Sequence, residues 1–292
     1  MIYKKKSQTS LKGFSDKIIG SKYKFSVYYH DVFDFPLTQK ELIKWKYGGD
    51  KMCSKRYVNT KISIKNGYVF LRGKQDLIKK RKERGVISEK KIKLAKKAGK
   101  TISIIPTVRM VGITGALSMK NADINSDIDL MIVTSENSLW TTRFLVWVLM
   151  KLKKFPMRKA GDKDTKNKLC LNMWMEEGFL EWDKKNRNLF TAHEILQLIP
   201  IVNKGNTYEK FVKRNGWVKK HWPNVQVVRK TENQAKDKNL PELMAILCFF
   251  TESVARRVQF EFMRKRITNE TIEPRRAFFH PVDLSSIILS KL

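Results

Sequence analysis

Val111-Gly112-Ile113-Thr114-Gly115-Ala116 and, after a gap, Ser126-Asp127-Ile128-Asp129-Leu130-Met131-Ile132-Val133 are the two runs on which the reading of the chain turns. The second is an apolar strand pattern headed by two carboxylates one residue apart. Side chains alternate along a strand, so Asp127 and Asp129 share one face while Ile128 and Leu130 pack on the other. Two carboxylates on one face repel each other. That is costly for a structural strand and suits a divalent cation, since Mg²⁺ is commonly held by one or two carboxylates together with substrate phosphates. Upstream, Gly115 offers a turn whose bare backbone N–H groups can approach a phosphate closely.

The 292 residues, 42% of them hydrophobic, suffice for two modest cores. Lys and Arg number 60 against 28 Asp and Glu, a net charge of +32. So basic a chain points to acidic partners, nucleic acid first and nucleotide phosphates or anionic membrane behind it. Cys53, Cys170 and Cys248 lie far apart with no CxxC pair, and only 4 histidines accompany them. Neither a disulfide framework nor a zinc site is indicated, which fits a reducing cytoplasm. Residues 1–22 form a basic polar tail without the apolar stretch of a signal peptide. The apolar runs at Phe144–Met150 and Leu243–Phe250 are too short to span a bilayer.

Along the chain, residues 23–35 carry apolar side chains near helical spacing, and Thr38 with Glu41 forms a capping-box pattern for a second helix. Residues 53–62 suit a third helix, and Asn66-Gly67 between β-formers signals a hairpin. Three helices and a hairpin make the order of a winged helix, proposed for residues 23–75. Residues 76–104 read as a basic helical connector: Arg72 to Lys100 holds 13 basic residues against 3 acidic ones. Its helix is expected to begin at Ser88-Glu89. A third region, 105–200, contains the glycine turn, the Asp strand, an apolar helix over 139–152 expected to be buried, the cationic loop 158–168 and a strand at 169–175. Thr191 with Glu194 suggests a further helix start. Residues 201–292 read as mainly helical, with a polar linker at 229–238 and an ordered loop at 273–281. His193 and His280 have no spacing that a metal or nucleophile requires.

From Thr114 to Asp129 the chain resembles the nucleotidyltransferase superfamily typified by DNA polymerase beta, whose signature is Gly-Ser, a spacer, then Ser-Asp-hydrophobic-Asp. Gly115-Ala116 stands where that family has Gly-Ser, and Ser126-Asp127-Ile128-Asp129 stands at the spacing of its small one-domain members. More loosely, the whole chain resembles a bacterial group in which a winged-helix-like segment precedes the nucleotidyltransferase domain. The resemblance implies an α+β fold, with a polymerase beta-like palm built on a mixed sheet and C-terminal helices after it. It implies transfer of a nucleoside monophosphate from a nucleoside triphosphate to an acceptor hydroxyl with Mg²⁺ or Mn²⁺. Asp127 and Asp129 match the first two metal ligands and, with Asn172, the catalytic positions; Thr114, Gly115, Ala116, Lys120 and Ser126 match the nucleotide site.

Three positions depart from the pattern. Ala116 removes a hydroxyl, Lys120 replaces a glycine, and Asn172 stands where a third carboxylate usually does. An amide can ligate a metal through its oxygen but is a poor base, and Glu176, Glu177, Asp162 and Asp164 lie close enough in sequence to substitute. The sequence therefore supports an enzyme whose acceptor is RNA, protein or a small molecule. It also supports a non-catalytic nucleotide sensor or nucleic-acid-binding regulator that keeps the fold, or an antitoxin-like or other interaction protein.

Overall fold

The computed structural model describes residues 20–49, 61–159, 161–226, 242–268, 270–279 and 282–292, with the backbone alone at 242–245, 247 and 266. Helix α1 (Ser21–Asp31) is followed by a short strand β1 (Leu37–Thr38) and helix α2 (Gln39–Lys44). Thr38 Oγ1 accepts from the Glu41 amide while the Glu41 carboxylate accepts from the Thr38 amide, the reciprocal cap expected from the sequence. The expected third helix, 53–62, lies mostly outside the described residues. Strands β2 (Ile62–Lys65) and β3 (Tyr68–Leu71) form a hairpin in which Asn66 (φ 52°) and Gly67 (φ 77°) take the left-handed conformations a two-residue turn demands. Strand β1 pairs with β3, giving a three-stranded sheet of order β1-β3-β2.

Helix α3 (Leu77–Ile102) starts eleven residues before the expected Ser88 start, by count along the sequence. Ser88 is instead buried, and its Oγ accepts from the Ala122 amide at 3.1 Å. A serine read as a cap is thus an anchor for the segment that leads to the Asp strand.

Among the described residues the larger sheet has six strands: β4 (Val108–Ile113), β5 (Ile128–Thr134), β6 (Leu169–Glu176), β7 (Ile199–Asn203), β8 (Thr271–Ile272) and β9 (Arg276–Phe278). Their order is β7-β4-β5-β6-β9-β8, and only β5 and β6 run parallel. Between β4 and β5 lies the single turn α4 (Gly115–Ser118); α5 (Leu139–Leu152) crosses from β5 to β6. Helices α6 (Leu189–Gln197), α7 (Thr207–Arg214), α8 (Glu242–Met263) and α9 (Leu284–Ser290) follow. The stretch after residue 200, expected to be mainly helical, therefore also supplies strands, and the expected ordered loop contains β9. The linker at 229–238 and His280 lie outside the described residues.

The central strands are buried on both faces, which is why they read as nearly continuous apolar runs. Met131, Val133, Met173 and Met175 face one core with α1, α2, α6 and α7. Ile128, Leu130, Ile132 and Trp174 face the other with α3 and α5. The α5 cylinder is not buried all round as expected: Phe144 and Trp147 are about half exposed, and Leu152 is exposed. Its start is capped by Glu252 of α8, which accepts from the Trp140 and Thr141 amides at 2.7 and 2.9 Å, and not by the Ser138 side chain. Helix α6 begins at Leu189, with Asn188 as its N-cap and Thr191 as the reciprocating residue, so the expected cap at Thr191 moves one turn earlier. Among the described residues no helix is long and apolar enough to cross a membrane.

Candidate metal centre

Asp129 is the second residue of β5, and Asp127 sits just before that strand. Because Ile128 and Leu130 are drawn into one core, the two carboxylates are left on the opposite face. The parallel partner β6 sets Cys170 opposite Asp129; a bulge then adds one residue, so that Met173 comes opposite Met131. The bulge lets Met173 return to the core while Cys170 and Asn172 both stay beside Asp129. Ligand atoms of Asp127, Asp129 and Cys170 lie within 4.8 Å of one another. Asn172 Nδ2 donates to Asp129 Oδ1 at 2.7 Å. Its own Oδ1 is buried and has no hydrogen-bond partner among the described residues.

The electrostatics are strained. Burial first, then the neighbouring Asp127 charge, push the Asp129 carboxyl above the ordinary range, and burial with both carboxylates pushes the Cys170 thiol up. Arg158 offsets part of this repulsion: its Nη1 donates to Asp127 Oδ2 at 2.5 Å and stands 3.8 Å from Cys170 Sγ.

Gly115 forms the floor of the site. Its φ is +60°, which strains any L side chain, and a Cβ there would lie 2.7 Å from Asp129 Oδ2, so that the carboxylate would have to shift. The Thr114 amide donates to the Asp129 carbonyl at 3.1 Å, which ties the turn to the strand. Glu194 of α6 arrives at the same point, accepting from the Gly115 amide; burial, and secondarily Asp129, raise its carboxyl to about 7. Gln197 Nε2 donates to Glu194 Oε1.

The loop carrying Asp127 is held from behind. Lys91 of α3, 3% exposed, donates to the carbonyls of Ser126 (2.6 Å) and Ile124 (3.3 Å) and to Asn167 Oδ1 (2.8 Å). The Asp123 carboxylate accepts from the amides of Asn125 and Ser126, each at 2.9 Å, and from Ser126 Oγ.

Of the residues singled out in the sequence, Asp127, Asp129 and Asn172 are brought together, with Thr114 and Gly115 against them. Ala116 lies inside the turn α4. The Lys120 ammonium pairs with Glu89 at 3.5 Å. None of the four alternative acids joins the group. Glu176 is buried at the far end of β6, accepting from the Ser138 amide at 3.2 Å, and Glu177 pairs with Arg109 at 3.3 Å. Asp162 pairs with Lys168 at 3.0 Å, and Asp164 accepts from the Lys166 amide at 3.1 Å. Cys170, Arg158, Lys91 and Glu194 were not assigned to the site in the sequence. Cys170 had one signal, its two-residue spacing from Asn172; the others depend on tertiary approach. His193 is buried, and its Nε2 lies 3.2 Å from His30 Nε2.

No family model matches the chain, and no curated protein does. Among solved structures, a crystal structure of a toxin-antitoxin with AMP-PNP aligns with 45% of this chain and 89% of that one, at 12% identity and a TM-score of 0.24. A likeness that loose carries no argument about fold or function.

Proposed function

We propose that this chain is a divalent-metal-dependent nucleotidyltransferase, with a polymerase beta-like palm at residues 105–200. The observation that carries the reading is the convergence within 4.8 Å of Asp127 and Asp129, at the head of the strand that follows the Gly115 turn, with Cys170 of the neighbouring β6. In the proposed reaction an acceptor hydroxyl loses its proton to solvent and attacks the α-phosphorus of a nucleoside triphosphate, the bond to the bridging β-phosphate oxygen breaks and pyrophosphate leaves. A cation held by Asp127 and Asp129, Mg²⁺ or Mn²⁺ in the family resemblance, would neutralise phosphate charge and favour the attacking oxygen. Thr114, Gly115 and Ala116 would border the triphosphate, Lys120 and Arg158 would add positive charge, and Ser126 would keep the Asp127 loop in register.

A nucleic acid is the acceptor class the surface favours. Lys79, Lys82, Lys90, Lys93, Lys97 and Lys100 recur every three to four residues, with one gap of eight across Val86, on the exposed side of α3. Lys79, Lys82, Lys90, Lys93 and Lys100 have no ion pair among the described residues. A groove between the β2–β3 hairpin and the start of α3 is lined by Lys65, Lys79 and Lys82 together with the acids Asp76 and Glu83. The helix–strand–helix–hairpin order supports a winged-helix-like unit at residues 23–75, with 76–104 as connector and 201–292 as C-terminal region.

A non-catalytic nucleotide sensor is the second reading, favoured by the Asn172 amide that donates to Asp129 where a third acid would stand, and by Ala116. One experiment separates the two. Purified protein is incubated with each labelled nucleoside triphosphate, Mg²⁺ or Mn²⁺, total RNA and cell extract. The enzyme reading expects label on an acceptor and none with Asp127→Asn. Metal-dependent nucleotide binding without transfer to any acceptor would leave the sensor.

A further inference from the structure

The third corner of the site is a sulfur. Carboxylate and water oxygens suit hard cations such as Mg²⁺, whereas a cysteine thiolate selects softer ones, zinc above all. Two oxygens from the head of β5 and one sulfur from β6 make a three-ligand set, one short of the four that zinc commonly takes. Their ligand atoms all lie within 4.8 Å of one another, so the side chains have to close on a shared ion to make bonds of about 2.0–2.3 Å.

A second observation points the same way. Asn172 is 6% exposed, its amide is 2.7 Å from Asp129 Oδ1, and its own oxygen has no hydrogen-bond partner among the described residues. An unpaired buried carbonyl oxygen is costly, so its place next to Asp129 calls for a partner. A half-turn of the amide exchanges its nitrogen and oxygen, and the oxygen then faces the carboxylates as a fourth donor. Arg158, which touches both Asp127 and Cys170, holds the ground such a cation would take.

We infer that the Asp127–Asp129–Cys170 centre takes a thiophilic divalent cation of the zinc class in preference to Mg²⁺, with Cys170 as a ligand and Asn172 Oδ1 completing the set. Coordination replaces the Cys170 S–H bond by an S–metal bond, and the proton passes to solvent. The inference rests on the reading of the Asp pair as a metal centre, not on whether transfer occurs.

The test uses the full chain, stripped of metal with a chelator. Co²⁺, a spectroscopic substitute for Zn²⁺, is titrated while near-ultraviolet thiolate-to-cobalt charge-transfer absorption is recorded, and Zn²⁺ and Mg²⁺ affinities are measured by calorimetry. The wild type is expected to show the band and to bind Zn²⁺ more tightly than Mg²⁺. Cys170→Ser is expected to lose the band and about tenfold or more in Zn²⁺ affinity while Mg²⁺ affinity changes little. Cys170→Asp, a hard ligand of similar reach, guards against a folding defect in the serine variant and is expected to reverse the preference. No band in the wild type, a band that survives Cys170→Ser, or parallel loss of both metals in a folded Cys170 variant would overturn the inference. Asp127→Asn tests the parent reading separately: unchanged affinity for every metal sinks the metal centre itself. A cobalt band without any nucleotidyl transfer sinks only the enzyme reading.

Discussion

Gly115 is the residue at which the site tolerates least change. Alanine there must adopt φ near +60°, which costs an L-residue about 1–2 kcal/mol, and its Cβ would fall 2.7 Å from Asp129 Oδ2. Gly115→Ala is therefore expected to lower the denaturant midpoint and to abolish divalent-metal binding together; metal binding at wild-type affinity would show that the turn is not part of the site. Asn172 makes a different prediction. Asn172→Asp replaces a 2.7 Å hydrogen bond to Asp129 by a third like charge. The variant should be less stable than wild type in chelator, by about 1–3 kcal/mol for the lost bond and repulsion, and should recover more of its melting temperature when metal is added. A restored acid should also raise turnover, since a general base contributes about 10²–10⁴-fold. Lower turnover together with metal-insensitive melting would place Asn172 outside the chemistry.

At the scale of elements, α3 works on two sides. Its inner side presents Lys91 to the Asp127 loop, and its outer side presents lysines over roughly 32 Å from Lys79 to Lys100, at 1.5 Å per residue. Not every cation near its start belongs to that outer row: Lys80 pairs with Asp34 at 2.9 Å, while Arg81 pairs with Glu41 at 2.8 Å and lies over the Phe35 ring. Replacing Lys79, Lys82, Lys90 and Lys93 by Ala should therefore reduce the salt dependence of nucleic-acid binding, by about 0.9 in log–log slope per lost duplex contact. Replacing Lys74 and Lys80, both ion-paired, should leave the slope nearly unchanged. Equal effects from the two sets, in filter-binding assays over a salt series, would return the row to the role of solvated surface. The α5–α8 contact offers an independent check on packing. Glu252→Gln weakens the anionic cap on two α5 amides and should cost about 1 kcal/mol of stability in urea.

At the scale of the whole molecule, one buried polar cluster joins the N-terminal helices to the sheet-covering α6. His30 Nδ1 lies 2.8 Å from the Ser26 carbonyl, which can only accept, so Nδ1 carries the proton and Nε2 accepts from His193 Nε2–H at 3.2 Å. His193 stacks on Trp45 with centroids 4.0 Å apart. Burial lowers His30 to about 4 and His193 well below the ordinary histidine range. Both are therefore neutral when folded, whereas the unfolded chain takes up protons near 6.5. Their contribution to stability is full above about pH 6.5 and is lost as pH falls toward 4, on the order of 3 kcal/mol from His30. Urea midpoints between pH 7.5 and roughly 4.5 should fall accordingly, and His193→Phe should flatten the curve. A midpoint independent of pH in the wild type would contradict the burial of this pair.

The order of residues determined a great deal of this protein. The glycine turn, the Asp strand, the reciprocal Thr38–Glu41 cap and the Asn66-Gly67 hairpin are each written within a few consecutive residues, and local rules of alternation, capping and positive φ read them directly. The length of α3 was misjudged because Ser88 looks like a cap when its buried partner, the Ala122 amide, is invisible. Strand β9 was missed because a three-residue strand has too little pattern to announce itself without β6 alongside. Only the tertiary structure decided what stands around Asp129. Cys170 enters through a parallel pairing and a one-residue bulge, Arg158 through a loop, Lys91 from a helix far upstream, and Glu194 from α6. None of these approaches has a period along the chain, because each depends on how elements distant in sequence pack, and packing is fixed by the two cores as wholes.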